Sequence, residues 1–349
     1  MRGLISVLLL SLSSSVLLAQ PRYFDWKEVA PGVYAAIGKP GVLSNAAVIL
    51  TEEGVVVVDT HLRPSWAQDL LAHIRRITDR PVRFVINTHW HNDHTQGNRA
   101  YQAAFPRGTV FIAHHRTRED LLSKGIPNLE QTRRMLPERI TRLRQQLAEG
   151  KREDGSPLDE AARRALEAQL ADSEAYLREL EQLEITLPDL TFERSLRLWL
   201  GDRQIDVLYF GEGHTQGDVF VYLPQEQVLI TGDMLVGGLP FMRDASPLAW
   251  ASTLEQVGRL PIRTIIPGHG DVQIGTARLE LYVRYLRELE QLVREQIQRG
   301  ASLQEATEAL LQDPRLMRYA SEFPNFRNGL LGPNGNIAKM YQALRSHGS

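Results

Sequence analysis

Cysteine is absent from all 349 residues. That excludes disulfides, a cysteine nucleophile, a thiolate metal ligand and a lipid-bearing cysteine. An exported form of this chain would have to rest on its core and on a bound metal. An excess of positive charge is missing too. Forty Lys and Arg against 42 Asp and Glu give a formal net charge of −2, and no nucleic-acid-binding motif is present. Nucleic acid is therefore not an expected partner. Nor is there a membrane anchor of ordinary length. "MRGLISVLLLSLSSSVLLAQP" places Arg2 ahead of an apolar stretch from Leu4 to Leu18, followed by the small Ala19. The stretch is short and serine-rich for a span and has the layout of a secretory signal peptide. Residues 1–19 are expected to be removed, leaving a periplasmic or secreted protein with no stable membrane association.

What is present suits a globular enzyme. Hydrophobic residues make up 43% and charged residues 23%, enough for one large core or two ordinary ones. After a linker, "NAAVILTEEGVVVVDT" reads as a hairpin of Ala47 to Leu50 and Val55 to Asp59 around Gly54. Ser65 to Thr78 has the apolar spacing of a helix, and "PVRFVINTH" and Thr109 to Ala113 read as buried strands. A second hairpin turns at Gly201-Asp202, followed by strands at Val219 to Leu223 and Val228 to Thr231, a helix from Pro247 to Val257, and the strand of "RTIIPGHG". The tetrapeptide His-Thr-Gln-Gly recurs at 94–97 and 214–217. Two similar halves stacked sheet to sheet predict an α/β fold, a four-layer αββα sandwich.

A helical insertion, roughly residues 117–187, separates the halves. Leu136, Ile140, Leu143 and Leu147 make one stripe, and Ala162, Leu166, Leu170, Leu177 and Leu180 face it across "REDGSP". Ser156-Pro157 reads as the cap that restarts the helix. A helical hairpin is expected, with a solvated outer face or with a role as lid or dimer arm. Residues 276–349 form a helical extension, in which "SLQE" from Ser302 is a capping box.

The chemistry is concentrated in "NTHWHNDHTQGN", which carries His89, His91, Asp93 and His94 within six positions. Imidazole nitrogen and carboxylate oxygen suit zinc, though also iron or manganese. On an extended strand end His89 and His91 point the same way, and Asp93 and His94 lie past the bend, where they can turn to a second ion. Paired ions about 3.5–4 Å apart recur in hydrolases. Four ligands are too few for two such ions. His214 in "GHTQGD", Asp233 in "TGDM" and His269 in "PGHG" each follow a predicted strand beside glycine. If His214 joins His89 and His91, and His269 joins Asp93 and His94, Asp233 can bridge. Asp59 either bonds a ligand imidazole from behind or caps its strand. His61, His73, His114, His115 and His347 are expected to be structural.

In order, "VVVDT", "THWHNDH", "GHTQGD", "TGD" and "PGHG" resemble the signature loops of the metallo-β-lactamase superfamily, over roughly residues 30–275 without the insertion. The resemblance implies an αββα sandwich with two divalent metal ions, usually zinc, at one sheet edge. It implies His89, His91 and His214 as ligands of the first ion, Asp93, His94 and His269 of the second, and Asp233 as the bridge. Asp233 looks like the bridging carboxylate of glyoxalase II-, lactonase- and alkylsulfatase-like members, while members with a cysteine ligand are excluded. The expected activity is hydrolysis of an ester, lactone or β-lactam-type amide by a metal-bound hydroxide that the catalytic Asp93 orients. Two alternatives stand beside it: a β-lactamase proper, and a non-catalytic zinc-binding protein that works through its helical hairpin. A small-molecule substrate is the expected partner, and the hairpin leaves room for a homodimer.

Overall fold

The fold is that of a computed structural model, which describes residues 21–347. The segment expected to be a signal peptide, residues 1–19, lies outside those residues. Strand β4 (Gly54–Val58) shows how the layers arise. Val56 and Val58 face a core between two sheets, whereas Val55 and Val57 face a core beneath helices. A strand buried on both faces needs valine at successive positions, because its side chains alternate sides.

The first sheet runs in chain order from β1 (Phe24–Ala30) through β2 (Val33–Gly38), β3 (Ala46–Thr51), β4, β5 (Val82–Ile86) and β6 (Val110–His114) to β7 (Leu190–Phe192). Its pairings are antiparallel as far as β4 and parallel beyond it. The second sheet holds β8 (Ser195–Leu200), β9 (Arg203–Leu208), β10 (Phe220–Leu223), β11 (Val228–Val236), β12 (Thr264–His269) and β13 (Gln273–Ile274). Ile86, Ile112, Val207, Val221, Ile230 and Ile266 fill the space between the sheets. On the outer face of the first sheet lie α1 (Pro64–Ile77), the one-turn α2 (Asn92–Thr95) and α3 (Asn98–Ala104), with Trp66, Leu70, Ile74 and Tyr101 buried there. This is the expected αββα sandwich.

The insertion begins with α4 (His115–Asp120) and a π-helical turn at Leu121–Gly125. It continues as α5 (Ile126–Glu149) and α6 (Glu160–Gln182). Leu129, Leu136 and Ile140 pack against Leu180 and Leu183, so the predicted hairpin forms. Its base is tied to the sandwich: Arg63 pairs with Asp172 at 2.6 Å, the Ser65 hydroxyl donates to Glu179 at 2.8 Å, and the Tyr176 hydroxyl donates to Gln96 at 2.9 Å. Beyond α7 (Pro247–Val257), the extension comprises α8 (Ala277–Gln298), α9 (Leu303–Leu310), α10 (Pro314–Met317), α11 (Phe326–Leu330) and α12 (Asn336–His347). Trp250, Tyr282, Leu286 and Phe323 bury its inner side against the second sheet. The capping box at Ser302 and Glu305 is formed. Among the described residues no helix is long and apolar enough to cross a membrane.

Four local expectations are corrected. The presumed linker before residue 46 forms β1 and β2, so the sheet begins ahead of residue 30. The edge strand β1 carries Asp25, Lys27 and Glu28, and β2 carries alanines, a combination with weak strand signal. Strand β5 stops at Ile86, so His89 and His91 stand on a loop and not on a strand end. Strand β11 runs on to Val236 and carries Asp233 inside it; its pairing with β12 shifts register around Gly232, a bulge that reads in sequence as a turn. Helix α6 is capped by Asp159, whose carboxylate accepts the Ala162 N–H at 2.7 Å; Ser156 instead bonds Asp154 within the preceding turn.

Candidate metal centre

The loop after β5, the one-turn α2, the loop before β10, the bulge in β11 and the end of β12 all meet at one edge of the sandwich. There His89, His91, His214 and Asp233 gather their ligand atoms within 4.8 Å of one another. Asp93, His94 and His269 form a second such group. Asp233 reaches both: its Oδ2 lies 3.5 Å from His214 Nε2 and 3.3 Å from His269 Nε2, and its Oδ1 lies 3.2 Å from His94 Nε2. Asp93 Oδ2 is 3.3 Å from His269 Nε2. All seven residues singled out in the sequence are thus brought together, in the two groups inferred.

Two glycines make room. A Cβ on Gly268 would stand 2.0 Å from Asp233 Oδ1, and one on Gly232 would stand 2.3 Å from Thr88 Oγ1. Gly232 also has φ of +50°, a backbone state that side chains disfavour.

The hydrogen bonds decide which nitrogen of each imidazole is free. His94 Nδ1 faces the Asp59 carboxylate at 2.8 Å and His91 Nε2 faces that of Asp244 at 3.0 Å, while His214 Nδ1 faces the Phe241 carbonyl at 3.0 Å. These oxygens only accept, so each of those nitrogens carries a proton. The Thr88 hydroxyl donates to Asp59 at 2.8 Å, and therefore accepts from His89 Nδ1 at 3.0 Å. The opposite nitrogens of three of them, His89 Nε2, His91 Nδ1 and His214 Nε2, are left with lone pairs turned into the cluster, and His94 Nε2 faces the Asp233 carboxylate there.

That cluster fits a cation. His89 Nε2, His94 Nε2 and Asp233 Oδ1 are buried and make no hydrogen bond. His91 Nδ1 and His214 Nε2 stand 2.9 Å apart, lone pair towards lone pair, an arrangement that a positive centre between them would relieve. Burial and neighbouring imidazoles hold His89 well below its ordinary pKa and His214 down at about 3. Burial works against ionisation of Asp93 and Asp233, but His94 and His269 outweigh it and keep both carboxyls below the usual range. Against burial, Asp233 and Asp93 in turn hold His94 well above its ordinary pKa and push His269 up to about 10, so these two imidazoles carry protons that a bound metal ion would displace.

Above the cluster opens a cavity of about 440 Å³ lined by His91, Asp93, Asp233 and His269 and by the apolar Leu43, Leu62, Val236 and Phe241. The volume suits a small molecule. Asp244 and Phe241, which orient His91 and His214, carried no sequence signal, since they lie in an unpatterned loop beyond β11. Asp218 was within reach: it ends the quoted "GHTQGD", and its carboxylate accepts the Thr215 N–H at 2.6 Å and hydroxyl at 2.9 Å. The other histidines lie outside the two ligand groups: His61 stacks on Phe24, His73 meets Trp26 edge-on, and His114 stacks on Tyr209 beside His115. His347 bonds the Ala343 carbonyl in α12.

Comparisons with known proteins bear on the family and the fold. The sequence profile of the metallo-beta-lactamase superfamily matches residues 40–269. A linear primary-alkylsulfatase of Pseudomonas sp. is 24% identical over 285 residues, 78% of this chain and 51% of that protein. The chain therefore spans about half the length of that relative. A metallo-beta-lactamase type 2 of Bacillus cereus is 24% identical over 253 residues, 71% of this chain and 73% of that one. Among solved structures, a metallo-beta-lactamase from Pontibacter korlensis is 20% identical and superposes with a TM-score of 0.54, covering 76% of this chain and 99% of its own. An inverting sec-alkylsulfatase of Pseudomonas sp. is 18% identical with a TM-score of 0.63, covering 91% of this chain and 50% of its own.

Proposed function

The chain belongs to the metallo-β-lactamase superfamily of metal-dependent hydrolases, and from that premise we propose that it is an exported hydrolase with two zinc ions, cleaving an ester, lactone or β-lactam-type carbonyl substrate. The observation that carries this reading is the set of unpartnered, inward-facing ligand atoms directly beneath a small-molecule-sized cavity. His89, His91 and His214 would hold one ion and Asp93, His94 and His269 the other, with Asp233 between them. Bound there, the ions would acidify a water towards neutral pH and place positive charge where the tetrahedral oxyanion develops.

The chain's own residues do the positioning. Asp93 lines the cavity as an ionised carboxylate, so it accepts a hydrogen bond from the attacking water and aims it. Leu43, Leu62, Val236 and Phe241 take the apolar body of the substrate and displace solvent from it. No Ser-His-Asp arrangement is needed. A second reading, hydrolysis of a sulfate ester, is favoured by the likeness to the alkylsulfatase, which extends over 78% of the chain.

The test is turnover of a panel of aryl esters, lactones, chromogenic β-lactams and alkyl sulfates, run beside elemental analysis. His91→Ala and Asp93→Ala are expected to lose most activity with nearly unchanged circular dichroism. Full activity in either variant, or after exhaustive chelation, would end the proposal. Two bound equivalents of metal with no turnover would favour a binding protein.

A further inference from the structure

A second cavity, also of about 440 Å³, adjoins the one over the metal cluster, and Asn92, Asn128 and Arg243 line both. The insertion builds its outer wall: Lys124 comes from the π-helical turn and Asn128 and Gln131 from α5. The two chambers differ in chemistry. The inner one has Leu43, Leu62, Val236 and Phe241, whereas the outer one is walled mainly by cations, amides and a hydroxyl.

One carboxylate, Asp244, also belongs to this wall, and a second, Asp120, pairs with Lys124 from outside the lining; their orientation decides the sign of the chamber. Asp244 is paired with Arg243 at 3.1 Å but turned inward to His91, and only 23% of its side chain is exposed against 47% for Arg243. Asp120 is paired with Lys124 at 2.8 Å, with 9% of its side chain exposed against 41% for Lys124. A solute entering the chamber therefore meets the cationic members of both pairs. Neutral donors are idle as well. Trp90, a lining residue, has a buried indole N–H with no acceptor, the side-chain amide of Asn92 is buried at its oxygen and unpaired there, and among the described residues no hydrogen bond from the Asn128 side chain is formed.

We propose that the outer chamber is an anion subsite, taking a carboxylate or similar oxyanion that the substrate carries at a distance from the bond to be cleaved. Lys124 and Arg243 supply the charge, and Asn92 and Asn128 supply hydrogen bonds between the chambers. The substrate class is then bipartite: an apolar body over the metal cluster and an anionic group beside α5. This deepens, and rests on, the hydrolase reading above.

The zinc-loaded protein can be tested with two probes, 4-nitrophenyl acetate and mono-4-nitrophenyl glutarate, which differ by a remote carboxylate. Lys124 is the residue to change, because Arg243 also steadies Asp244. The ratio of kcat/KM for the charged ester over the neutral one is expected to fall about five-fold in Lys124→Gln and to recover in Lys124→Arg. Calorimetric binding of glutarate reports on the same subsite without turnover and is expected to weaken about three-fold or more in Lys124→Gln. If neither ester is cleaved by the parent protein, the carbonyl-hydrolase reading fails while the glutarate affinities still decide the subsite. A ratio within two-fold of the parent's in Lys124→Gln, or without turnover an unchanged glutarate affinity, overturns the proposal.

Discussion

Asp59 Oδ2 accepts from His94 Nδ1 at 2.8 Å, and the same oxygen takes the Thr88 hydroxyl that in turn steadies His89. One buried carboxylate thus orients an imidazole in each ligand group. Its backbone is held at φ of +60°, a conformation costly for a residue with a side chain and kept where the surroundings enforce it. Asp59→Asn should preserve the shape while losing the charge that fixes both tautomers. Zinc affinity at both sites is expected to fall about 10- to 100-fold, as other orienting partners of metal ligands do. Competition with a chromophoric chelator measures this. Parent-like affinities would mean that the loop alone positions the histidines.

Gly268 offers a steric version of the same question. The missing Cβ leaves the space that Asp233 Oδ1 occupies, 2.0 Å from where the carbon would be, and the Gly232 carbonyl carbon is only 2.6 Å from it. Gly268→Ala must therefore push Asp233 and β11 away from β12, at about 1–3 kcal/mol of stability. With Asp233 shifted from between the two groups, elemental analysis should find fewer than two equivalents of metal, and activity should drop at least about ten-fold. Two equivalents and full activity in this variant would show that Asp233 does not need its present place.

These two cases show why some of the site was legible in sequence and some was not. Ligand residues cluster at fixed short spacings because one ion must be reached from a few loops, so His89, His91, Asp93 and His94 announce themselves. The valine runs of β4 and the stripes of α5 and α6 follow from periodic burial and were equally readable. Partners such as Asp244 and Phe241 act through one contact each, across long stretches of chain, and leave no periodic trace. The full length of β11 is hidden in sequence for a related reason: a glycine that admits a close neighbour looks the same as a glycine that makes a turn.

Whether the insertion is a hinged lid can be judged from Arg63. Its guanidinium lies between the rings of Trp66 and Tyr176, 5.0 and 4.7 Å from their centroids, and pairs with Asp172 at 2.6 Å. Only 9% of its side chain is exposed, whereas Asp172 is 62% exposed and can be solvated if left alone. Arg63→Ala is expected to cost about 1–3 kcal/mol, more through lost packing and cation–π contact than through the ion pair. Limited proteolysis should then cut residues 183–189, at the foot of α6, faster than in the parent protein. A hinged lid would already be cut quickly in the parent, with little change in the variant.

Asp218 provides a pH-dependent signature of the loop that carries His214. Burial pushes its carboxyl up to about 7, against the lowering effect of the hydrogen bonds it accepts from Thr215. In the unfolded chain it would titrate near 3.9. The folded state thus binds more protons between these values, and linkage makes its contribution to stability greatest below the unfolded pKa and lost as pH rises through about 7. Asp218→Asn cannot titrate and keeps an oxygen for the Thr215 donors. In metal-free protein the variant should therefore gain on the parent as pH goes from 5 to 8, by about 2–3 kcal/mol at the outside. Denaturant melts of both proteins across that range measure the difference, which cancels the other titrating groups they share. A gap that stays constant with pH would mean that Asp218 is already ionised throughout, with the Thr215 hydrogen bonds outweighing its burial.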